Sequence, residues 1–341
     1  MDQPLASTYR RSAILTAAGL LGLCLGLNLL VDPLWHFSGN RLSGQNMGFN
    51  ERLSKLNRAA RVVAGKDCVI YGSSRATLLD PSLFPDRDCY NMAVSEGLSA
   101  EFPYYARFLM GQGLAARTVI LGADDLSFFS GGEENLPAWL RAGESQPRWW
   151  QDYLSLDALE FSIRALAGNS PRPRYYREDF SIAIEDEARA YRPDPANLVP
   201  VGQGTNPPAR IPNPDFLADY RRLLAMHSEA TALIYIPPIS LWRLGAMIRR
   251  GELEAYLDSI HALSVLGRPV LDFSVPSAIT ADPTLTYDGS HYSLGVNGRI
   301  AEALRRQACG PCLRVDALSR DEYRARFVAA YQARVEQVAG P

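Results

Sequence analysis

The sequence is poor in metal-binding side chains and has no long run of one charge. Its 341 residues include four histidines and five cysteines. The close pair Cys309 and Cys312 has no nearby histidine or further cysteine to complete a zinc site, and no glycine-rich phosphate loop is present. The 35 basic and 37 acidic residues leave a net charge of -2, and basic residues form only short pairs. We therefore expect no metal, no cofactor and no nucleic-acid partner.

Internal repeats and low-complexity segments are also absent from the sequence. With 47% hydrophobic residues, the chain can bury one large core or two modest ones. It has one long apolar run, because the twenty residues 12–31 carry no charge, and about 20 apolar residues span a bilayer core. Arg10 and Arg11 precede this run and favour a cytoplasmic tail at 1–11. We expect a transmembrane anchor at 12–31, with the residues after the anchor outside the cytoplasm.

A cleaved signal peptide is the main alternative to an anchor. The apolar core of a signal peptide is usually about 7–15 residues long and ends at a site with small residues. The run at 12–31 is longer, and the sequence "VDPLWHF" that follows it offers no such site. A buried core helix would be apolar on one face only, whereas this run is apolar all round. The pattern therefore favours an uncleaved transmembrane helix.

The cysteines outside the anchor favour an oxidising compartment. Cys68 and Cys89 each begin a strand-like run, and a disulfide can join them if those strands are neighbours. Cys309 and Cys312 have the spacing of a thioredoxin motif, but they follow a helix-like stretch, whereas that motif follows a strand and opens a helix. We expect a local structural disulfide there in preference to a redox site.

Five short apolar runs alternate with helix-like stretches after the anchor. The runs lie at 68–71, 89–92, 118–121, 231–236 and 269–273. The helix-like stretches between them lie at 100–112, 216–226 and 241–266. This alternation predicts an α/β fold with a parallel sheet covered on both faces, here a three-layer sandwich with a five-stranded parallel sheet. Functional residues should gather at the carboxyl edge of that sheet.

The rest of the chain divides around this pattern. The expected parts are a connector at 32–65, a main domain at 66–325 with an insertion at about 126–228, and a C-terminal tail at 326–341. An interval as long as the insertion normally has its own structure or a function. Its tryptophans and tyrosines either stack on sugar rings or form a local apolar core. In the connector, Arg52 and Lys55 could contact lipid headgroups or pack on the domain.

The stretch "VIYGSSRA" at 69–76 places two serines at the end of the first strand-like run. Hydrolases of the α/β type present a nucleophilic serine on a sharp turn after a strand, near the start of a helix. Gly72 permits such a turn, and backbone N–H groups there can stabilise an oxyanion. A serine that caps a helix explains the same letters without catalysis. A serine in this stretch can therefore be interpreted as a nucleophile only if the chain also supplies a base.

Four histidines are candidates for that base. His36 lies beside the anchor, and His227 and His261 lie in helix-like segments, where packing roles are the default. His291 differs, because it stands in "YDGSHYSLGVNG", three residues after Asp288 and beyond the last strand-like run. A turn between the two would let the carboxylate hold the imidazole Nδ1–H and fix its tautomer. A turn aspartate beside a structural histidine is the alternative.

Gly72-Ser73-Ser74 after the first strand, together with Asp288 and His291, resemble the first and last sequence blocks of the SGNH (GDSL-type) hydrolase superfamily. The resemblance covers residues 66–308 and implies a flavodoxin-like sheet, with Ser74 as nucleophile, His291 as base and Asp288 as the residue that orients the base. With its anchor, the chain resembles the SGNH-like proteins of polysaccharide O-acetylation and of D-alanyl transfer to cell-wall polymers. This implies a single-pass protein of the bacterial inner membrane, with a periplasmic main domain.

The resemblance also implies an oxyanion hole, and there the sequence departs from the family. The family places a glycine after the second strand. The candidates for this region are Gly97, Asn91, Ala93 and Glu96. After the third strand the family's hydrolases carry G-x-N-D, which matches Gly122-Ala123-Asp124-Asp125 with Asp124 in place of asparagine. An ionised aspartate cannot donate a hydrogen bond. We expect Asp124 to be protonated or to point elsewhere, or the hole to rely on backbone N–H groups.

Arg75 directly follows Ser74. It is expected to hold an anionic group of the substrate or to form a salt bridge with Asp124 or Asp125. The expected function is that of a periplasmic acyl-ester enzyme, an O-acyl(acetyl)transferase or esterase acting on a cell-surface polysaccharide. Its partners would be the inner membrane, an acyl donor, the glycan and a membrane-bound acyltransferase. The alternative is a catalytically degenerate SGNH domain that binds glycan or scaffolds polysaccharide export.

Overall fold

The computed structural model describes residues 3–338 apart from 45, 134, 169–173, 178–179, 181, 185–190 and 206–207. The chain begins with helix α1 (Gln3–Val31). Within it, Ser7–Val31 is long and apolar enough to cross a membrane, and little of this segment is buried against the protein. An N-terminal helix suited to single-pass anchoring is therefore confirmed.

Eight strands lie in the described part of the chain. They are β1 (Cys68–Tyr71), β2 (Cys89–Asn91), β3 (Thr118–Gly122), β4 (Arg174–Tyr176), β5 (Ile182–Ile184), β6 (Thr231–Ile236), β7 (Val270–Asp272) and β8 (Leu313–Arg314). The larger sheet has the order β2-β1-β3-β6-β7-β8. Its first five strands are parallel, and β8 pairs antiparallel with β7. Strands β4 and β5 form a separate antiparallel pair.

Helices cover both faces of the larger sheet. Besides α1, the helices in the described part of the chain are α2 (Glu51–Val62), α3 (Phe102–Gly111), α4 (Asp125–Phe129), α5 (Ala138–Ala142), α6 (Trp149–Tyr153), α7 (Leu156–Ala167), α8 (Phe216–Met226), α9 (Leu241–Arg249), α10 (Leu253–Ala262), α11 (Leu294–Arg306) and α12 (Arg320–Val338). Val69 and Tyr71 of β1 pack in one apolar cluster with residues of α3 and α8. Cys68 and Ile70 pack in a second cluster with residues of α11. This alternation is the period-2 pattern of a strand buried on both faces, and the α/β prediction is confirmed.

The sheet has six strands, whereas the sequence predicted five, all parallel. The additional strand, β8, pairs Leu313 with Asp272 and Arg314 with Leu271. A two-residue strand is too short to show an alternating pattern. It becomes a strand because the chain reverses after α11 and brings these residues beside the edge of β7. The five predicted runs all form strands, and their bounds differ from the prediction by no more than one residue.

Both expected disulfides are present. Cys68 and Cys89 are register partners on neighbouring strands β1 and β2, with their Cα atoms 4.2 Å apart. Cys309 and Cys312 are joined in the turn between α11 and β8. This second pair therefore follows a helix and leads into a strand, the reverse of the thioredoxin arrangement, in agreement with a structural role.

The connector packs on the domain through two basic residues whose role the sequence left open. Arg52 forms an ion pair with the buried carboxylate of Glu101 at 2.8 Å. The buried ammonium group of Lys55 donates to the carbonyl oxygen of Ala93 at 2.5 Å, and burial lowers the pKa of Lys55 to about 8. Helix α2 therefore fastens the loop that follows β2, one of the loops at the carboxyl edge of the sheet.

Polar contacts also join the C-terminal end of α1 to helices α6 and α7. Asn28 of α1 is fully buried; it donates to the carbonyl oxygen of Tyr153 at 2.9 Å and accepts from the hydroxyl of Ser162 at 2.7 Å. Just beyond α1, His36 Nε2 lies 2.6 Å from a carboxylate oxygen of Asp152. Helices α6 and α7 of the insertion therefore pack on the end of the anchor helix.

Helices α8 and α12 both contribute to the core around the sheet. Helix α8, at the end of the expected insertion, packs on α3 and belongs to the core around the sheet. Helix α12 runs through the expected boundary at 325/326 and buries Phe327 and Tyr331 in the same core. Side chains of α12 therefore pack on the core as far along the chain as Val335.

Candidate active site

The candidate site lies at the carboxyl end of β1, where the strand order reverses. Strand β2 follows β1 in sequence and pairs on one side of it, while β3 pairs on the other, and such a position in a parallel sheet commonly holds a ligand site. Gly72 ends the strand with φ of +152°. A Cβ atom there would lie 3.0 Å from the carbonyl oxygen of Gly122. The turn before Ser74 therefore requires glycine, both for its conformation and for the close approach of β3.

Ser74, His291 and Asp288 form a continuous chain of hydrogen bonds. The Ser74 hydroxyl lies 2.7 Å from His291 Nε2. His291 Nδ1 lies 2.8 Å from Asp288 Oδ2. The serine and histidine are 217 residues apart in the sequence, so the fold brings them together. Both distances are within the range of a nucleophile, base and orienting acid.

The Asp288 carboxylate is held in place before it contacts the imidazole. Its Oδ1 accepts hydrogen bonds from the backbone N–H groups of Ser290 and His291, both at 2.9 Å, and from the Ser290 hydroxyl at 3.0 Å. Burial raises its pKa, but the hydrogen bonds and charge of His291 outweigh burial and hold the pKa of Asp288 well below its usual range. Asp288 is therefore a fixed anion at neutral pH, as an orienting carboxylate must be.

The loop that carries Asp288 and His291 is fastened at its base. The backbone N–H of Ser240 donates to the carbonyl oxygen of Gly289 at 2.8 Å, and the Gly289 N–H donates to the hydroxyl of Thr286 at 2.9 Å. Thr286 and Tyr292 also form an isolated antiparallel bridge. The loop returns to the sheet edge beside β1, as the sequence indicated, and it does so in a defined conformation.

Asp124, which stands where the family's hydrolases have asparagine, makes contacts other than those of an oxyanion donor. Its Oδ2 accepts a hydrogen bond from the hydroxyl of Ser73, and its Oδ1 accepts from the backbone N–H of Leu126 at 3.2 Å as the N-cap of α4. Burial raises the pKa of Asp124, opposed by the charge of Arg75. The carboxylate of Asp124 is therefore directed to Ser73 and to the N-terminus of α4.

Asn91 and Gly97, the oxyanion-hole candidates after β2, also form structural hydrogen bonds. The Asn91 amide donates to the carbonyl oxygens of Ala76 and Leu79, both at 3.0 Å, and thereby holds the turn after the serines. The Gly97 N–H donates to the carbonyl oxygen of Val94 at 3.0 Å. A Cβ atom on Gly97 would lie 2.8 Å from the carbonyl oxygen of Gly72, so glycine is needed there for close packing of the two loops.

Backbone N–H groups are the donors left near the nucleophile. In the described part of the chain, the N–H of Ser74 makes no hydrogen bond. The same holds for the N–H of Glu96, a residue with φ of +54°. The Ala93 N–H, by contrast, donates to the Asn91 side chain at 3.0 Å. An oxyanion hole in this protein would therefore be built from main-chain donors, with that of Ser74 foremost.

Arg75 forms the salt bridge that the sequence allowed. Its Nη2 lies 2.7 Å from Asp125 Oδ1, and its Nη1 lies 4.0 Å from Asp124 Oδ2. Burial opposes ionisation of Asp125, but Arg75, Arg210 and Arg243 together lower the pKa of this carboxyl below its ordinary value. The pair is almost buried, and Arg75 also lines an open cavity beside the triad.

Three further arginines near this cavity were missed by sequence reasoning. Arg210 and Arg250 both pair with the buried carboxylate of Glu252 at 2.8 Å, and Arg243 Nη1 donates to the carbonyl oxygen of Asp288 at 3.4 Å. Arg210 lies in the long interval and the other two lie in or after α9, so no local motif marks them. Only the packing of α9 beside the site reveals them.

The other histidines have structural surroundings. His36 pairs with Asp152, His227 is buried beside the Tyr71 hydroxyl at 3.1 Å, and His261 Nε2 lies 3.1 Å from the carbonyl oxygen of Leu318. Among the residues that the structure describes, no group of three or more histidine, cysteine, aspartate or glutamate side chains is arranged to hold a metal ion.

The aromatic residues of the insertion mostly pack against the protein. Trp149 lies edge-on to Phe37 with ring centroids 5.7 Å apart, and Trp139 lies edge-on to Phe108 at 5.6 Å. Trp150 is partly exposed. These contacts favour the local apolar core over the sugar-stacking platform for Trp139 and Trp149.

No protein-family model matches the chain, and no curated protein matches it. The resemblance to the SGNH superfamily is therefore a resemblance of short sequence blocks only.

Proposed function

We propose that the protein is a serine-dependent acyl-ester enzyme with an SGNH-like, flavodoxin-like domain anchored to a membrane. One observation carries the proposal. The hydroxyl of Ser74 lies 2.7 Å from Nε2 of His291, and Nδ1 of His291 lies 2.8 Å from the carboxylate of Asp288. A serine hydroxyl is a weak nucleophile on its own, and an adjacent base oriented by a third group is the usual means of activating it.

In the proposed reaction, Ser74 Oγ attacks the carbonyl carbon of an acyl ester while His291 Nε2 takes the hydroxyl proton. The Asp288 carboxylate stabilises the imidazolium that results, and the Ser74 N–H donates to the oxyanion. The leaving alcohol receives the proton from His291, which leaves an acyl-serine. A second hydroxyl, from a glycan or from water, then loses its proton to His291 and attacks the acyl-serine, and Ser74 is restored.

The acceptor and location follow from the resemblance and the anchor. We propose a single-pass protein of the bacterial inner membrane with a cytoplasmic N-terminus and a periplasmic catalytic domain. The support for this arrangement is the apolar segment Ser7–Val31, the arginines at its N-terminal end and the two disulfides. The acceptor would be a cell-surface polysaccharide, and the acyl donor would reach the domain through a membrane-bound acyltransferase.

A fluorophosphonate probe tests the proposal directly, because it reacts only with activated serines. We expect the detergent-solubilised protein to bind one probe per chain, and Ser74→Ala to bind none. Ser73→Ala is the matched control from the same turn and should still be labelled. Asp288→Asn should be labelled more slowly by roughly 10³- to 10⁴-fold, because an amide favours the wrong imidazole tautomer. Labelling that persists in Ser74→Ala would refute the assignment of the nucleophile.

A second candidate function is a non-catalytic glycan-binding or scaffold domain. The observation that favours it is Asp124, whose carboxylate replaces the side-chain donor of the hydrolases and is engaged by Ser73 and Leu126. This candidate predicts a folded wild-type protein that is never labelled, and a Ser74→Ala strain with normal polysaccharide. The same two measurements therefore separate the two functions.

A further inference from the structure

A cavity of about 200 Å³ opens beside the triad. Arg75, Arg243 and Arg250 line it together with Asp125 and the apolar side chains of Ile239 and Met247. Arg75 directly follows Ser74, and Arg243 donates to the main chain of Asp288 at 3.4 Å. The cavity is therefore walled by residues attached to both ends of the triad, so a group bound in it lies beside the reacting ester.

Among the arginines that line this cavity, Arg243 differs from Arg75 and Arg250 in its ion pairing. Arg75 has its ion-pair partner in Asp125, and Arg250 shares the carboxylate of Glu252 with Arg210. Within the described residues, Arg243 forms no ion pair, and its side chain is exposed at the cavity. Arg243 is therefore the guanidinium group of the cavity wall that can pair with an added anion. Asp124 Oδ2 lies 4.0 Å from Arg75 Nη1, so the carboxylates of Asp124 and Asp125 both contribute to the charge around Arg75.

Several polar atoms at or near Arg75 are buried without a hydrogen-bond partner among the described residues. Those that can donate include Nη1 of Arg75, whose side chain is only 10% exposed, and the hydroxyls of Tyr256 and Tyr292. An acceptor, Oδ1 of Asp125, is also among them and is matched by its ion pair with Arg75. Burial raises the pKa of Tyr292, and the nearby charge of Arg75 acts against it, which shows that the two side chains are close. Buried donors without partners are uncommon in folded proteins, because they lose water and gain no bond in return. Arg75 is the member of this group of donors that lines the cavity, and its Nη1 is suited to a ligand that brings its own acceptor.

We propose that this cavity binds a carboxylate or phosphate group carried by the substrate of Ser74, held by Arg75 and Arg243, so that the enzyme acts on acidic acyl esters or acidic acceptors. Guanidinium groups match these two anions because they present a planar fork of donors. Ile239 and Met247 provide apolar walls for the carbon skeleton beside the anion. This inference rests on the proposed function of the triad and names the class of its substrate.

Binding without chemistry is the first test. The full-length Ser74→Ala protein in detergent is titrated by calorimetry with D-glucuronate, with inorganic phosphate and with D-glucose as the uncharged control. We expect an anion to bind at least tenfold more tightly than glucose, and Arg243→Gln in the same background to weaken anion binding roughly tenfold. The two anions distinguish an acidic sugar from a phosphorylated carrier.

A charge-matched control separates the cavity from the general field of the protein. Arg249 lies on the same helix α9, is exposed and bonds to the side chain of Asn197 outside the cavity. Arg249→Gln removes the same charge as Arg243→Gln, and it should leave anion affinity unchanged. Equal losses in the two variants would show a diffuse charge effect and overturn the assignment of the cavity.

The second test uses matched esters with wild-type enzyme. The pair 4-acetoxybenzoate and methyl 4-acetoxybenzoate differ in one negative charge, and 4-acetoxyphenyl phosphate supplies the phosphate arm. We expect kcat/KM to favour an anionic ester by roughly tenfold or more, and Arg243→Gln to lower that ratio by a similar factor.

The outcomes keep the two proposals apart. Anion binding that depends on Arg243 in a protein that no fluorophosphonate labels would retain the anion site and reject the enzyme. Labelled Ser74 with equal use of charged and neutral esters, and no anion binding above that of glucose, would retain the enzyme and reject the anion site.

Discussion

Asp124 has two structural roles that require a hydrogen-bond acceptor. The carboxylate caps α4 and accepts from Ser73, and both roles require an acceptor, which an aspartate supplies better than an amide. An asparagine could present its donor to an oxyanion, whereas Asp124 serves to fix Ser73 and thereby the turn before Ser74. The loss of one side-chain donor in an oxyanion hole typically costs about 10²- to 10³-fold in rate, so we expect a slower enzyme than a generic esterase.

His227 makes the stability of the protein depend on pH. It is buried beside Tyr71, and burial lowers its pKa from 6.5 to about 4. Between pH 6.5 and pH 4 the unfolded chain binds more protons at this residue than the folded chain does. The contribution of neutral His227 to the free energy of unfolding is therefore largest above pH 6.5 and decreases as the pH falls toward 4. We expect the free energy of unfolding to fall by about 2 kcal/mol from this residue between pH 7 and pH 5.

Denaturant unfolding of the detergent-solubilised protein at the two pH values measures this effect. The His227→Gln variant should lose less stability than wild type on acidification, whatever its stability at pH 7. His261→Gln, at a partly exposed histidine, is the matched control and should behave as wild type. An unchanged pH difference in His227→Gln would show that other groups are responsible.

The residues of the site differ in how far the sequence could indicate them. Ser74, Asp288 and His291 stand in short recognisable patterns at the two ends of the strand series, and the structure brings them together. Arg243 lies in α9 and Arg250 directly follows it, in a stretch with no distinctive sequence pattern. Their place beside Arg75 depends on how α9 packs after β6. Short sequence patterns can indicate residues that act within one turn. They cannot indicate a cavity formed by elements that are distant in the sequence.

At the scale of elements, the edge strand β2 bears directly on the geometry of the serine turn. Strand β2 has three residues and lies at the edge of the sheet, so few ladder hydrogen bonds hold it. The bond between Cys68 and Cys89 joins the strands at their first register pair. Asn91 and Lys55 then tie the same edge to the serine turn and to α2, so opening of β2 would disturb Ser74.

The two disulfides should therefore differ in their effect on stability. They close loops with sequence separations of 21 and 3 residues, and the loop-entropy model gives about 3 kcal/mol for the longer and about 1.5 kcal/mol for the shorter. We expect the double variant Cys68→Ala/Cys89→Ala to lose more unfolding free energy than Cys309→Ala/Cys312→Ala. Denaturant titrations of both variants measure the difference, and equal losses would contradict it.

Elements with a strong apolar pattern were predictable, whereas elements that depend on a neighbour were not. The five parallel strands have buried apolar runs of three to six residues, which the sequence displays. Strand β8 and the pair β4 and β5 have two or three residues each, and they are strands only because partners lie beside them. The short helices α4, α5 and α6 likewise have five residues each, too few for a helical period to show.

At the scale of the whole molecule, the anchor helix is also part of the folded domain. The apolar segment Ser7–Val31 has 25 residues, about 37 Å at the rise of an α-helix, whereas the hydrocarbon core of a bilayer is about 30 Å thick. Roughly one turn can therefore extend beyond the hydrocarbon core. The buried end of α1, where Asn28 contacts Tyr153 and Ser162, fits this extension and would orient the domain on the membrane.

Retention and docking of the anchor can be tested separately. We expect the protein isolated from membranes to retain the residues of α1, detected by peptide mass spectrometry, and to resist extraction by high salt. Asn28→Leu should remain in the membrane, because it makes α1 more apolar. It should nevertheless raise the rate of limited proteolysis near α6 and α7, because the Tyr153 carbonyl and the Ser162 hydroxyl lose their partner. A chain cleaved just after Val31, found in the soluble fraction, would show that α1 is a signal peptide and that its contacts are not those of the mature protein.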